Sequence, residues 1–161
     1  MKTIDINIKI RFCRLEELSE EDRQLVEMAV EATNNAYAKY SNFRVGAAVR
    51  LENGLLMKGA NQENAAFPVT LCAERTAIFA AQANYPEQPI TAIAIAAKNE
   101  NGLLSEPITP CGSCRQVMLE IEDRYKRPLR ILLYGQNGVY IVDTVKDLMP
   151  LSFLDASMKG K

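Results

Sequence analysis

The spacing of apolar positions along this chain switches between two and three-to-four several times, and each switch predicts an element. Residues 4–11 alternate, with isoleucine at 4, 6, 8 and 10, which is the period of a strand. Ser19 stands ahead of Glu20, Glu21 and Asp22, an N-cap followed by the acidic first turn that a helix dipole favours. Leu25, Met28, Ala29, Ala32 and Ala36 then recur on one helical face, so a helix is expected to about Tyr40. Residues 43–51 and 55–59 read as strands joined by the turn signal Glu52-Asn53-Gly54. A polar, proline-containing loop over 61–71 leads to a helix over 72–84, which Tyr85-Pro86 ends. Residues 90–97 form a short apolar run, the mark of a buried strand. A loop over 99–109 precedes a helix over 111–125. Strands at 129–134 and 139–143 flank the turn Gln136-Asn137-Gly138, and 148–153 is an apolar tail.

That order of elements implies an α/β protein, a sheet covered by helices. At 161 residues one domain is expected. Residues 19–161 would form it, with residues 1–18 as an N-terminal extension that adds a strand or an interface. There is no internal repeat and no low-complexity segment.

Composition narrows the function. The net charge is -1, and no dense run of Lys or Arg marks a nucleic-acid footprint. No apolar stretch approaches the ~20 residues of a membrane span, and the alternating start lacks the apolar core of a signal peptide. A cytoplasmic protein is expected. In a reducing compartment its four cysteines read as metal or catalytic ligands rather than disulfides. The chain has no histidine, so a transition metal must be held by sulfur, and acid–base chemistry falls to Glu, Asp, Lys or Tyr.

Two motifs carry that chemistry: Cys72-Ala73-Glu74-Arg75 and Pro110-Cys111-Gly112-Ser113-Cys114. Each opens an expected helix. Cys111 and Cys114, three apart, share one face of a first turn, and Gly112 lets the backbone pass close to a metal. Cys72 supplies a third sulfur. Three thiolates can hold Zn²⁺ with one position open, beside a carboxylate that moves protons. Zinc-dependent base deaminases use this arrangement, with three cysteines as an allowed ligand set. Three thiolates on Zn²⁺ leave a net charge of -1. Arg75, on the helical face of Cys72, is expected to donate to the sulfurs and offset it. Glu74 lies ~200° around a regular helix from Cys72. The two converge only if Cys72 occupies the irregular start, so the helix should begin at Cys72 or one residue later.

Other readings compete. Cys-x-x-Cys alone also marks a thioredoxin-like redox pair. A structural zinc site wants a fourth protein ligand, and Cys13 is the remaining thiol. Glu74 alone is an ordinary solvated helix residue.

The chain resembles the cytidine deaminases of pyrimidine salvage, the small tetrameric class, from about Ala36 to Phe153. The residues that carry the likeness are Tyr40-Ser41-Asn42-Phe43-Arg44-Val45-Gly46-Ala47-Ala48, Asn61-Gln62-Glu63-Asn64-Ala65-Ala66, Cys72-Ala73-Glu74-Arg75-Thr76-Ala77 and Pro110-Cys111-Gly112-Ser113-Cys114-Arg115-Gln116. The resemblance implies a three-layer fold with a mixed five-stranded sheet flanked by helices. It implies one zinc per subunit on Cys72, Cys111 and Cys114, with Glu74 catalytic. It also implies a homotetramer with active sites at subunit contacts. Asn61 and Glu63 would bind ribose hydroxyls, Phe43 would stack on the pyrimidine, and Phe153 would come from a neighbouring subunit. The implied reaction is hydrolysis of cytidine and deoxycytidine to uridine, deoxyuridine and ammonia, at the C–N bond of a cyclic amidine. The Phe67-Pro68-Val69-Thr70-Leu71 stretch departs from the family pattern. An aminopyrimidine antibiotic, a polynucleotide, or a non-enzymatic zinc or thiol role are the alternatives.

Overall fold

The computed structural model describes residues 1–158; the last three residues of the expected 19–161 unit lie outside it. Seven strands form one mixed sheet: β1 (Ile10–Cys13), β2 (Arg44–Leu51), β3 (Leu56–Ala60), β4 (Ile90–Asn99), β5 (Gly102–Leu103), β6 (Arg130–Gly135) and β7 (Gly138–Val142). They lie in the order β1-β7-β6-β4-β2-β3, and β5 pairs with the end of β4. Helix α1 (Glu20–Ala32) covers one face, α2 (Ala73–Asn84) and α3 (Gly112–Tyr125) cover the other, and a short α4 (Asp155–Met158) follows.

Alternation along β4 sorts the two faces. Ile93 and Ile95 pack toward α2 and α3, while Ala92, Ala94 and Ala96 face α1. The small side chains on the α1 side let that helix sit close. Gly46 shows how close: a Cβ there would lie 2.1 Å from the Ala29 carbonyl oxygen. Gly59 does the same for α2, where a Cβ would meet the Ala77 nitrogen at 2.4 Å and the Ala73 oxygen at 2.7 Å. Gly59→Ala is therefore expected to cost about 2 kcal/mol or more. In a chain of this size that is a fall of roughly 4–8 °C in melting temperature. A melting temperature within a degree of the parent would show that α2 does not need this close approach.

The topology brings the two motifs together. β3 and β4 both run antiparallel to β2, and β4 runs parallel to β6. So β3, β4 and β6 share one direction, with α2 crossing from β3 to β4 and α3 from β4 to β6. Both helices begin at the carboxyl ends of parallel strands, the end where α/β sheets hold ligands. Buried polar groups secure the far ends. Glu122 of α3 accepts from the Leu129 and Val145 amides at 2.9 and 2.8 Å and from Thr144 Oγ1 at 2.9 Å. Asp22 of α1 is clasped by Arg50 and Arg130, each at 3.0 Å.

The expectations need three corrections. The sheet has seven strands rather than five, because β1 and the two-residue β5 join it. The first strand spans Ile10–Cys13 rather than 4–11, since only those residues meet a partner, the β7 stretch Val139 to Val142. The first helix ends at Ala32 rather than near Tyr40. A tight turn over Thr33–Asn35 follows, and Thr33 Oγ1 donates to the Val30 carbonyl, a local bond that competes with the helix. The stretch expected as an apolar tail runs irregularly from the tight turn over Val145–Leu148 to α4.

Candidate active site

Cys72 is the N-cap of α2, with extended dihedrals of -71° and 154°. Cys111 is the N-cap of α3, at -67° and 166°. The expected irregular start at Cys72 is thus present, and it lets Cys72 and Glu74 face the same space. Neither cysteine side chain caps its own helix, so both sulfurs stay available. The Sγ atoms of Cys72, Cys111 and Cys114 all lie within 4.8 Å of one another. A tetrahedral Zn–S distance of about 2.3 Å sets sulfurs about 3.8 Å apart, so the set fits zinc with little movement. The helix N-termini add partial positive charge that favours thiolates. Three sulfurs leave a fourth position for water or substrate, as a catalytic zinc requires.

Electrostatics within the protein already favour one thiolate. The Cys114 thiol donates to the Cys72 sulfur and Arg75 adds to the effect, which together hold the Cys72 thiol down at about 5. Cys114, as donor and buried, is pushed up. Arg75 Nη2 lies 3.5 Å from Cys72 Sγ and 3.4 Å from the Thr70 carbonyl oxygen. Its Nε is buried without a partner among the described residues. Glu74 is 4% exposed. Burial pushes its carboxyl up, and the neighbouring Cys72 sulfur acts in the same direction. A carboxyl raised by its surroundings accepts and returns a proton more readily near neutral pH.

These groups border a cleft of about 230 Å³, lined by Asn61, Glu63, Thr70, Cys72, Glu74 and Cys111 together with Val45, Leu71, Ala73, Ile108 and Thr109. Asn61 is braced from both ends. Its Oδ1 accepts from the Val45 amide at 2.8 Å, and its Nδ2 donates to the Phe43 carbonyl at 2.9 Å. Each end keeps one further hydrogen-bonding position for a ligand. Glu63 accepts from the Tyr40 amide at 2.6 Å, the Ser41 amide at 3.3 Å and the Ser41 hydroxyl. Ser41 above all holds its carboxyl below the usual range.

The cleft therefore gathers Cys72, Cys111, Glu74, Asn61 and Glu63, with Cys114 buried directly behind. It does not gather the two phenylalanine rings. The Phe43 carbonyl accepts from Asn61 Nδ2, and Phe43 is not among the residues that line the cleft. Phe153 is 60% exposed, with its carbonyl accepting from Gln116 Nε2 at 3.0 Å on the outer side of α3. Cys13 lies at the far edge of the sheet in β1 and is no fourth ligand.

Sequence reasoning missed two supports. Ser41 fixes Glu63. Arg115 ties the loop ahead of α3 by donating to the Pro110 carbonyl at 2.8 Å and the Leu148 carbonyl at 2.7 Å. Both residues fall inside motif blocks, but only long-range geometry shows their partners.

Residues 19–126 match the family model described as the cytidine and deoxycytidylate deaminase zinc-binding region. A cytidine deaminase from Halalkalibacterium halodurans is 38% identical over 138 residues, 85% of this chain and 98% of that protein. A crystal structure of cytidine deaminase from Burkholderia pseudomallei aligns with a TM-score of 0.71 at 39% identity, covering 84% of this chain and 100% of that one. A blasticidin-S deaminase from Bacillus cereus is 29% identical over 138 residues, 84% of this chain and 94% of that protein. Fold and site together define a zinc-binding deaminase. The chain belongs to the cytidine and deoxycytidylate deaminase family. No helix among the described residues is long and apolar enough to cross a membrane.

Proposed function

We propose that this protein hydrolyses cytidine and deoxycytidine to uridine and deoxyuridine, releasing ammonia, in the cytoplasm. The observation that carries the reading is one cleft bordered by a three-sulfur metal site, a buried carboxyl and a braced amide–carboxylate pair. Cys72, Cys111 and Cys114 would hold one zinc ion per subunit, which would supply the Lewis acidity that makes water nucleophilic. Glu74 does the proton work. It takes a proton from the attacking water and delivers it to N3 of the ring so that C4 becomes electrophilic; it then takes the proton of the hydroxyl added at C4 and passes it to the amino group, which leaves as ammonia while C4 becomes a carbonyl. Arg75 balances the thiolate charge. Asn61 and Glu63 grip a ribose hydroxyl, one donating and one accepting. Phe43 stacks on the ring from beside the cleft. Phe153, turned outward on its own chain, completes the site of a neighbouring subunit in a homotetramer. Residues 19–161 make up the catalytic domain, and 1–18 are an addition to it.

Among the described residues the cleft lining contains no Lys or Arg, which argues against a polynucleotide strand. The blasticidin-S deaminase relative keeps an aminopyrimidine antibiotic as the second reading. Purified zinc-loaded protein incubated with cytidine, deoxycytidine and blasticidin S separately decides between them, followed by loss of aminopyrimidine absorbance and by ammonia. Conversion of both nucleosides is expected. Conversion of the antibiotic alone would replace the proposal.

Ser41→Ala tests the ribose grip. Without the hydroxyl, Glu63 loses its main hold and its carboxyl returns toward the ordinary range. KM for cytidine should rise several-fold with kcat nearly unchanged, because the contact binds substrate and transition state alike. The sign with pH follows. A depressed carboxyl keeps its charge as pH falls into the usual carboxylate range, so the parent should hold its KM to lower pH than the variant. Identical KM–pH profiles would remove Ser41 from the role.

A further inference from the structure

Residues 4–10 read Ile-Asp-Ile-Asn-Ile-Lys-Ile, a strand pattern of which only Ile10 meets a partner strand among the described residues. Residues 1–9 carry no regular structure and are exposed. Ile4, Ile6, Ile8 and Ile10 are 74%, 51%, 48% and 49% exposed. Such a row of β-branched residues suits a half-buried pleated surface, not water. The segment runs directly into β1. That strand ends the sheet, and its only strand partner among the described residues is β7. The molecule therefore presents a free edge, prolonged by a segment patterned as a strand. Free edges of this kind recruit another strand unless they are blocked.

The segment is complementary to itself. Laid antiparallel against a second copy with Asn7 opposite Asn7, Ile6 faces Ile8, Ile4 faces Ile10 and Asp5 faces Lys9, each twice. Unlike charges and apolar side chains then meet their own kind of partner at every cross-strand position, the arrangement that stabilises paired strands. A slip of one residue puts isoleucine opposite charged and amide side chains and reverses the faces. Centring on Ile6 loses both charge pairs. Centring on Ile8 would oppose Asp5 to Arg11, but Arg11 is already held by Asp143 at 2.5 Å. Asp5 and Lys9 have no ion-pair partner among the described residues. The isoleucine face continues the side of the sheet where Phe12 meets Tyr140, with ring centroids 5.2 Å apart.

We propose that residues 4–10 of two copies of this chain pair as antiparallel strands about a two-fold axis at Asn7, joining their sheets edge to edge. This contact lies at the opposite edge of the sheet from β3. It is separate from the contact proposed for Phe153, and it does not depend on the substrate.

Asn7→Cys tests it directly. Opposed residues of an antiparallel pair have Cα atoms about 4.5–5.5 Å apart, within disulfide reach. The zinc-loaded full chain is treated with diamide and run on a non-reducing gel. Asn7→Cys should give covalent dimer several-fold faster than the parent, whose Cys13 controls for native thiols. Thr3→Cys lies opposite Arg11 rather than itself and should lag. Lys9→Asp in the Asn7→Cys chain should slow the cross-link several-fold, and adding Asp5→Lys should restore it by swapping the charges. Activity toward cytidine should stay at the parent level throughout, which shows that each variant is folded. No dimer beyond the parent would overturn the pairing, and would be the result if the row served another protein or a lipid surface. Equal cross-linking at Thr3, or no rescue by the charge swap, would overturn the register.

Discussion

Glu74→Gln is expected to bind zinc and fold as the parent does while losing about 10²–10⁴-fold in kcat. Glutamine keeps the size of the side chain and a hydrogen-bonding oxygen, so the cleft and the sulfur cluster beside it stay intact. It cannot take up a proton and return it. The protein buries this carboxyl to 4% exposure, and a buried charged group is costly unless it is paired and hydrogen-bonded. The amide should therefore be no less stable than the acid, and a small rise in melting temperature is the expected sign. Turnover is measured under cytidine saturation, with zinc determined on the same sample. Activity within about tenfold of the parent, at full zinc content, would show that proton transfer in this site does not pass through Glu74.

Loss of the metal should have the other large effect. Cys114, on the buried face of the first turn of α3, lies fully in the core, and its sulfur is one of the three that meet. Cys114→Ala should drop zinc from one per chain to near none and abolish activity. Its stability should also become insensitive to zinc. For the parent, free zinc at 100 times the dissociation constant adds about 2.7 kcal/mol, equivalent to roughly 5–10 °C in melting temperature. The variant's melting curve should not move when zinc is added or chelated. A variant that still binds zinc stoichiometrically would place the metal on other residues.

Much of the site can be read from local sequence because its chemistry is local. Cys72 and Glu74 sit two apart, and so can share one target only where a helix begins. The structure places the α2 start at Ala73 with Cys72 as its N-cap. Cys111 and Cys114 occupy the N-cap and third residue of α3 by the same logic. The breaks in that reading have a common cause. The helix expected to reach Tyr40 stops at Ala32 because residues beyond it answer to distant partners. The Tyr37 amide donates to the Asn61 carbonyl at 3.0 Å, and the Tyr40 amide to the Glu63 carboxylate at 2.6 Å. The alternation over 4–11 predicts a strand correctly in kind. A strand needs an edge to pair with, and β7 ends at Val142, opposite Ile10.

Pattern and spacing thus specify elements, caps and candidate ligand types, and they single out Glu74 as the candidate proton carrier, since each depends on neighbours a few residues away. The meeting of Cys72 with Cys111 and Cys114 is decided elsewhere. It depends on β3 and β4 running in one direction on either side of β2, so that two crossover helices begin at the same end of the sheet. It also depends on Gly59 letting α2 lie against that sheet. The same holds for the grip on Glu63 and the isolation of Phe153 on the outer face. Periodicity constrains each segment against its own neighbours. Only packing among segments distant in sequence sets the distances between them, and the chemistry of this site lies in those distances.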